Sequence, residues 1–242
     1  MKFDVLTLFP EIFDAVLNES VIGRARQSNI IEINPINIRD FSKDRHKKVD
    51  DYPYGGGGGM VMMAQPVCDA YLSIVSGLTY KPKVIYLSPQ GRVLSQALVK
   101  ELSKEEHLIL LCGHYEGIDE RIIEEIVDEE ISIGDYVLTG GELPAMVLID
   151  SVSRMIPGVL SNEESYSQES HYDGLLEYPQ YTRPYEFNGR KVPDVLISGH
   201  HANINRWRRQ QSLKRTYKKR PDLFKELNLD KEDKKLLEEG LK

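Results

Sequence analysis

Along the first two thirds of the chain, short runs of consecutive apolar residues alternate with stretches in which apolar residues recur every three or four positions. Runs of the first kind are strands and stretches of the second kind are amphipathic helices. Their alternation predicts an α/β fold, a largely parallel sheet covered by helices. Strands are expected at Phe3–Phe9, Ile31–Ile38, Val84–Leu87 and Leu108–Cys112, and helices at Glu11–Gln27, Pro66–Ser76, Leu94–Ser103, Asp119–Val127 and Leu143–Ile156. Pro157-Gly158 stops the last of these helices. Ser161–Ser170 is rich in Ser, Glu, Asn and Gln with few apolar anchors, and reads as a mobile linker. Tyr- and Pro-bearing loops, a basic helical segment and a charged tail follow. The expected organisation is therefore a domain over 1–160, a linker over 161–172 and a smaller helical domain over 173–242.

Composition narrows the class: 242 residues, 40% hydrophobic and 29% charged, describe a soluble protein with a real core. Met1–Phe13 carries Asp4 and Glu11 and has no basic segment ahead of an apolar one, so no signal peptide is expected. With no run of membrane-spanning length, a cytoplasmic location and no membrane partner are expected. Cys68 and Cys112 stand far apart in no metal-ligand spacing, which argues against both a disulfide scaffold and a zinc site.

The net charge of −7 conceals an uneven distribution. Ser198–Arg220 contains no acid, while Arg206, Arg208, Arg209, Lys214, Arg215, Lys218, Lys219 and Arg220 make it strongly basic. Such a face on an acidic protein suits a polyanion, and His200, His201, Trp207 and Tyr217 stand among the cations, where an aromatic can stack on an unpaired base. For Trp207 itself, packing with Ile204 and Leu213 on the buried side of the helix is the favoured reading. Lys43, Arg45, His46, Lys47 and Lys48 form a second basic cluster. The acidic run Glu116–Glu130 reads as a solvated helix face and is assigned no chemistry.

In open parallel sheets ligands bind beyond the carboxyl ends of the strands, which directs attention to the turns there. Three carry glycine: Tyr86-Leu87-Ser88-Pro89-Gln90-Gly91-Arg92, Cys112-Gly113-His114-Tyr115-Glu116-Gly117, and Ile133-Gly134-Asp135-Tyr136-Val137-Leu138-Thr139-Gly140-Gly141. Glycine and proline explain any one of these as a tight turn, but three together suggest backbone brought close to a small ligand. A fourth loop, Tyr52–Met60 with five consecutive glycines, suits a lid or an anion-binding nest, with a flexible linker as the plain alternative. Neither the G-x-G-x-x-G spacing nor a glycine-rich run ending in Gly-Lys-Ser/Thr is present, which disfavours dinucleotide and phosphate-loop folds.

These residues carry a resemblance. Leu6-Thr7-Leu8-Phe9-Pro10, Asp50-Asp51-Tyr52-Pro53-Tyr54 with its glycines and Met60, Gly113-His114-Tyr115-Glu116-Gly117 with Asp119-Glu120-Arg121, and Gly134–Leu143 recur in order. Arg154 with Ile156-Pro157-Gly158-Val159, Gly174-Leu175-Leu176-Glu177 and Tyr181-Thr182-Arg183-Pro184 follow. Over nearly its whole length the chain resembles the bacterial tRNA (guanine-N1)-methyltransferase family, within the knotted SPOUT methyltransferases.

The resemblance implies a trefoil knot in the N-terminal domain, a cytoplasmic homodimer with active sites at the subunit interface, and the anticodon stem-loop of tRNA as partner. The reaction implied is methyl transfer from S-adenosylmethionine to N1 of the guanine immediately 3′ of the anticodon. The cofactor would lie against Tyr86, Leu87, Ser88 and Pro89, against Gly113, Tyr115 and Glu116, and against Ile133, Gly134, Asp135, Tyr136, Val137 and Leu138 with Gly140, Gly141 and Pro144. Relatives suggest a magnesium requirement, but no all-protein metal site is recognisable in the sequence.

N1 of guanine bears a proton, so the reaction requires a base, and the charge that builds towards O6 requires a donor. The resemblance assigns the donor to Arg154 and the base to Glu169. Most relatives have Asp-Ser where this chain has Glu169-Ser170, and His171 is the nearest substitute. Without the resemblance, Arg154 reads as a surface ion pair with Asp150 and Glu169 as a solvated loop acid. A ribose 2′-O-methyltransferase on the same fold, a non-catalytic RNA-binding protein and a glycine-loop phosphate binder are the other readings.

Overall fold

The protein is described from a computed structural model over residues 1–160 and 169–241, so residues 161–168 of the expected linker lie outside the described residues. The chain divides into two units, Met1–Asn162 and Glu163–Lys242.

In the first unit a five-stranded sheet runs in the order β2-β1-β6-β5-β7, with β1 at Lys2–Thr7, β2 at Glu32–Asn37, β5 at Lys83–Val93, β6 at His107–Cys112 and β7 at Glu129–Ser132. Every pairing in it is parallel. The central strands are apolar without alternation because helices cover both faces. Phe3, Val5, Ile85, Leu87, Leu108, Leu110 and Cys112 point into one core, with α1 (Glu11–Leu17), α2 (Ser20–Gln27), α4 (Gln96–Leu102) and α6 (Glu142–Ser153). Leu6, Val84, Tyr86, Ile109 and Leu111 point into the other, with α3 (Ala64–Val75) and α5 (Glu120–Ile126). A short antiparallel pair, β3 (Asp50–Asp51) with β4 (Val61–Met62), brackets the glycine-rich loop.

The structure departs from expectation in three places. Glu11–Gln27 is two helices, because the chain turns at Asn18–Glu19; a Cβ on Gly23 would lie 2.0 Å from the Asn18 carbonyl oxygen, so that turn closes only over glycine. The strand at Val84–Leu87 runs on to Val93, its register with β7 shifting between Leu87 and Arg92. β7 itself was hidden in the acidic run: Glu129 and Glu130 are strand residues, and Ile131 fills the first core.

In the second unit the basic segment forms the helix His201–Lys219, against which the helix Lys231–Leu241 packs. Leu175, Leu213 and Leu236 make its core with Phe224, Leu227, Leu229 and Leu237. Pro221 starts the helix Pro221–Glu226, where its missing N–H costs nothing. The unit is not wholly helical, since Glu186–Phe187 pairs with Arg190–Lys191.

Candidate active site

At the carboxyl ends of β5, β6 and β7 three loops enclose a cavity of about 330 Å³, within the size range of small-molecule sites. The first loop contributes Tyr86, Leu87, Ser88 and Pro89, and the second contributes Gly113, His114, Tyr115 and Glu116. The third contributes Ile133, Gly134, Tyr136, Val137, Leu138, Gly140 and Gly141, with Pro144 just inside α6. Of the cofactor residues suggested by the resemblance, Asp135 alone stands outside this lining, exposed on its loop.

The cavity has a definite electrostatic character. Glu116, Glu120 and Glu130 line it, and no lysine or arginine does so among the described residues. Its carboxylates favour a cation or a neutral molecule over a phosphate. Burial, with Glu130 and Glu120 nearby, pushes the Tyr86 hydroxyl up to about 12, so it remains a neutral donor at physiological pH. The Cys112 thiol, buried beside Glu142, is held well above its ordinary value and is no nucleophile.

The glycine-rich loop reaches this region at its end. Glu116 N–H donates to the Met60 carbonyl at 2.9 Å and Met62 N–H to that of Gly117 at 2.9 Å. A Cβ on Gly59 would fall 2.4 Å from Glu116 Oε1, so the loop folds directly over that carboxylate.

Behind the cavity lies a polar group that the sequence reading quoted without a role. Thr7 Oγ1 donates to Glu142 Oε1 at 2.7 Å, and Glu142 Oε2 is 3.2 Å from His114 Nε2. A Cβ on Gly140 would sit 2.3 Å from that Nε2 and 2.5 Å from Glu142 Oε2. The available signal was an acid placed directly after Gly140-Gly141 at the start of an otherwise apolar helix, where it has to find partners as the helix is buried.

Arg154 and Glu169 stand elsewhere. Arg154 is the C-cap of α6, whose other end forms the cavity wall. At 1.5 Å per residue the helix separates Arg154 from Gly141 by about 20 Å. Glu169 belongs to the second unit, in a cavity of about 250 Å³ with Asp173, Tyr178, Asn205, Arg208 and Arg209. The turn that carries it is fastened by Tyr172 N–H to the Glu169 carbonyl (3.3 Å) and by Glu177 N–H to Ser170 Oγ (3.0 Å), and His171 adopts a positive φ of 73°.

The basic helix is less bare than its sequence suggested, because acids from outside the segment fold onto it. Arg206 meets Glu239 at 2.9 Å, Arg209 meets Asp233 at 2.7 Å and Asp173 at 3.1 Å, and Arg220 meets Asp222 at 2.6 Å. Arg208 stacks over the Tyr178 ring at 4.8 Å. Lys218, Lys219, His200 and His201 are exposed. Trp207 is half-buried with its ring 6.4 Å from Tyr181, rather than in the core that holds Leu213, so the packing expected for it is not the one found. In the other basic cluster Lys43, Lys47 and Lys48 pair with Asp69, Asp40 and Asp51. Among the described residues no three His, Cys, Asp or Glu side chains are grouped to hold a metal, and no helix is long and apolar enough to cross a membrane.

A parallel sheet with an acidic, small-molecule cavity at the loops beyond its carboxyl edge defines an α/β protein with a site suited to a small cationic or neutral ligand. Comparison with known proteins supplies the family. The family model described as tRNA (Guanine-1)-methyltransferase TrmD matches residues 1–226. The chain is 74% identical over 227 residues to the tRNA (guanine-N(1)-)-methyltransferase of Ruminiclostridium cellulolyticum, covering 94% of this chain and 97% of that one. It is 59% identical to the proteins of the same name from Lachnospira eligens, covering 93% and 96%, and from Alkaliphilus oremlandii, covering 99% and 98%. The chain belongs to the tRNA (guanine-N1)-methyltransferase family.

Proposed function

We propose that the protein is a homodimeric tRNA (guanine-N1)-methyltransferase that takes its methyl group from S-adenosylmethionine and modifies the guanine immediately 3′ of the anticodon. The observation that carries the reading is the cavity lining: carboxylates, glycine backbone and apolar Leu87, Ile133 and Leu138, without a lysine or arginine among the described residues. A methyl donor with an adenine ring and cationic sulfonium and ammonium groups fits that lining, whereas a nucleotide phosphate does not. When bound, S-adenosylmethionine supplies an electrophilic methyl group.

The remaining chemistry falls to side chains. The Glu169 carboxylate takes the N1 proton and the Arg154 guanidinium stabilises the charge that develops at O6. Because α6 holds Arg154 about 15 Å from Pro144, the cavity residue nearest to it on that helix, the arginine serves the cavity of a second copy. An exposed apolar face supports such a copy: Phe9, Ile12 and Val16 on and before α1, with Leu143 and Val147 on the neighbouring α6. The crossing loops around Gly113 and Gly141 are where the trefoil knot of the SPOUT fold would be tied.

The target guanine leaves its stack to be methylated, at a cost smallest in a single-stranded loop, which favours the anticodon loop. The exposed cations and histidines of the basic helix would hold the surrounding phosphates. If Mg²⁺ assists, it would be shared with water and substrate phosphates.

The test is methyl transfer from labelled S-adenosylmethionine to unmodified tRNA transcripts that carry guanine or adenine 3′ of the anticodon, followed by nucleoside analysis. The expected product is 1-methylguanosine, lost with the adenine transcript. A 2′-O-methylated product, or no transfer by a protein that binds the donor, would overturn the assignment.

A further inference from the structure

Glu142 is 4% exposed and does not itself line the cavity, yet it touches a residue that does. It opens α6, and its two oxygens reach different segments: Thr7 at the end of β1 and His114 in the loop after β6. The His114 ring thus meets the carboxylate through Nε2. Thr7 Oγ1 also accepts from Phe9 N–H at 3.0 Å, and the Phe9 ring packs on that of His114 with centroids 4.9 Å apart. Burying a carboxylate is costly unless it is partnered, and the N-terminal end of a twelve-residue helix adds favourable field. Three separate segments are thus drawn to one oxygen pair.

The loop of His114 and the Gly140-Gly141 turn form adjoining walls of the cavity. Their backbones are joined by the antiparallel bridge of His114 with Gly140 and by Gly141 N–H to the Gly113 carbonyl at 2.9 Å. Neither link determines where the His114 ring points. The Phe9 ring and Glu142 hold it from two sides, and no methyl group fits at Gly140 beside the His114–Glu142 contact.

We propose that Glu142 is a positioning residue for the methyl donor: through His114 it fixes the loop 113–117 against Gly140-Gly141 and so sets the shape of the wall on which the donor rests. This depends on the reading that the cavity holds S-adenosylmethionine. Without the carboxylate the His114 ring is released to rotate into the cavity, and the wall it forms beside Tyr115 and Glu116 loses its set shape. The donor pays for that disorder on binding, whereas once it is bound the methyl transfer proceeds as before.

The experiment measures S-adenosylmethionine affinity by calorimetry, and KM and kcat with tRNA, for the full chain and for Glu142→Ala and Glu142→Gln. Glu142→Ala is expected to weaken donor binding roughly tenfold, with kcat at saturating donor and KM for tRNA within about twofold. Glu142→Gln, whose side-chain carbonyl keeps one acceptor for Thr7 or His114, should recover most of the loss. His114→Ala and the double variant His114→Ala/Glu142→Ala should bind the donor equally weakly, because the two residues act as one unit.

A merely structural Glu142 would lower thermal stability in Ala and Gln variants alike and leave donor affinity unchanged, which would overturn the proposal. Additive losses in the double variant would overturn it as well. Should Glu142→Ala fail to fold, Thr7→Val, which removes one donor to the carboxylate, should weaken donor binding about threefold, and an unchanged affinity there counts against the proposal. A wild-type protein that binds no S-adenosylmethionine overturns the functional reading and this inference together, whereas tight wild-type binding with an unaltered Glu142→Ala overturns this inference alone.

Discussion

If Arg154 serves the partner's cavity, two inactive variants should restore each other. Arg154→Ala removes the donor to O6 while leaving the cavity of its own chain intact, and loss of such a donor typically costs about 10²–10³ in kcat. Gly140→Ala does the converse, since its new methyl would lie 2.3 Å from His114 Nε2 and 2.5 Å from Glu142 Oε2 and closes the cavity wall of its own chain. Each homodimer is then inactive. In a heterodimer one site combines both lesions, and the other combines the intact cavity of the Arg154→Ala chain with the intact arginine of the Gly140→Ala chain. Random exchange of an equal mixture makes half the dimers mixed, each with one working site of two, so about a quarter of wild-type activity should return. The assay is methyl incorporation into tRNA after subunit exchange, with differently tagged chains purified through both tags to verify the heterodimers. Purified heterodimers with no more activity than either parent would refute the argument, because an arginine serving its own cavity gives two dead sites in every mixed dimer.

Other consequences reach different parts of the molecule. Val16→Lys with Leu143→Lys places two charges on a face whose parent residues are each 53% exposed; it should produce monomers in analytical sedimentation and abolish transfer, and a dimer that survives it would mean that the subunits meet elsewhere. His107→Ala strips a buried partner 2.8 Å from Asp4, leaving Asn34 and Lys2 to satisfy that carboxylate, and should lower stability by about 2–3 kcal/mol in urea melts. Arg209 depresses the Asp233 carboxyl below its ordinary 3.8, so the pair stabilises at neutral pH and that contribution is lost as pH falls through the depressed value. Arg209→Ala should therefore destabilise the second unit more near pH 7 than at pH 2, and an equal deficit at both would show that packing rather than charge is responsible.

The sequence carried the strands best where neighbours cover both faces, as at Leu108–Cys112, because a buried parallel strand is apolar throughout and has no phase to misread. It failed at Glu129–Ser132, whose first two residues are acids at a sheet edge: a local reading counts their charge, whereas the pairing partner, Ile85–Leu87, lies more than forty residues earlier. The break in Glu11–Gln27 was equally non-local in character, resting on one glycine's contact with a carbonyl. At the site, the glycine turns were legible as a cluster beyond the strand ends, and there they line a cavity. The Thr7–Glu142–His114 group was not, since its members are separated by up to 135 positions and each alone reads as an ordinary polar residue. The pairing of Arg206 and Arg209 was missed for the same reason, their acids lying in the tail and in the turn before the helix.

On the proposed function, the distribution of charge follows from having two ligands of opposite sign. A cavity for a cationic methyl donor must keep lysine and arginine out, and Glu116, Glu120 and Glu130 hold that region negative. A polyanionic RNA requires the reverse, and a single surface cannot attract both at short range. Screening at physiological salt limits the conflict to about 8 Å. The net charge of −7 is therefore no argument against an RNA substrate. It reflects the acids that line the cavity and those that brace the basic helix, while Lys218, Lys219, His200 and His201 stay exposed for the phosphates the proposed function requires.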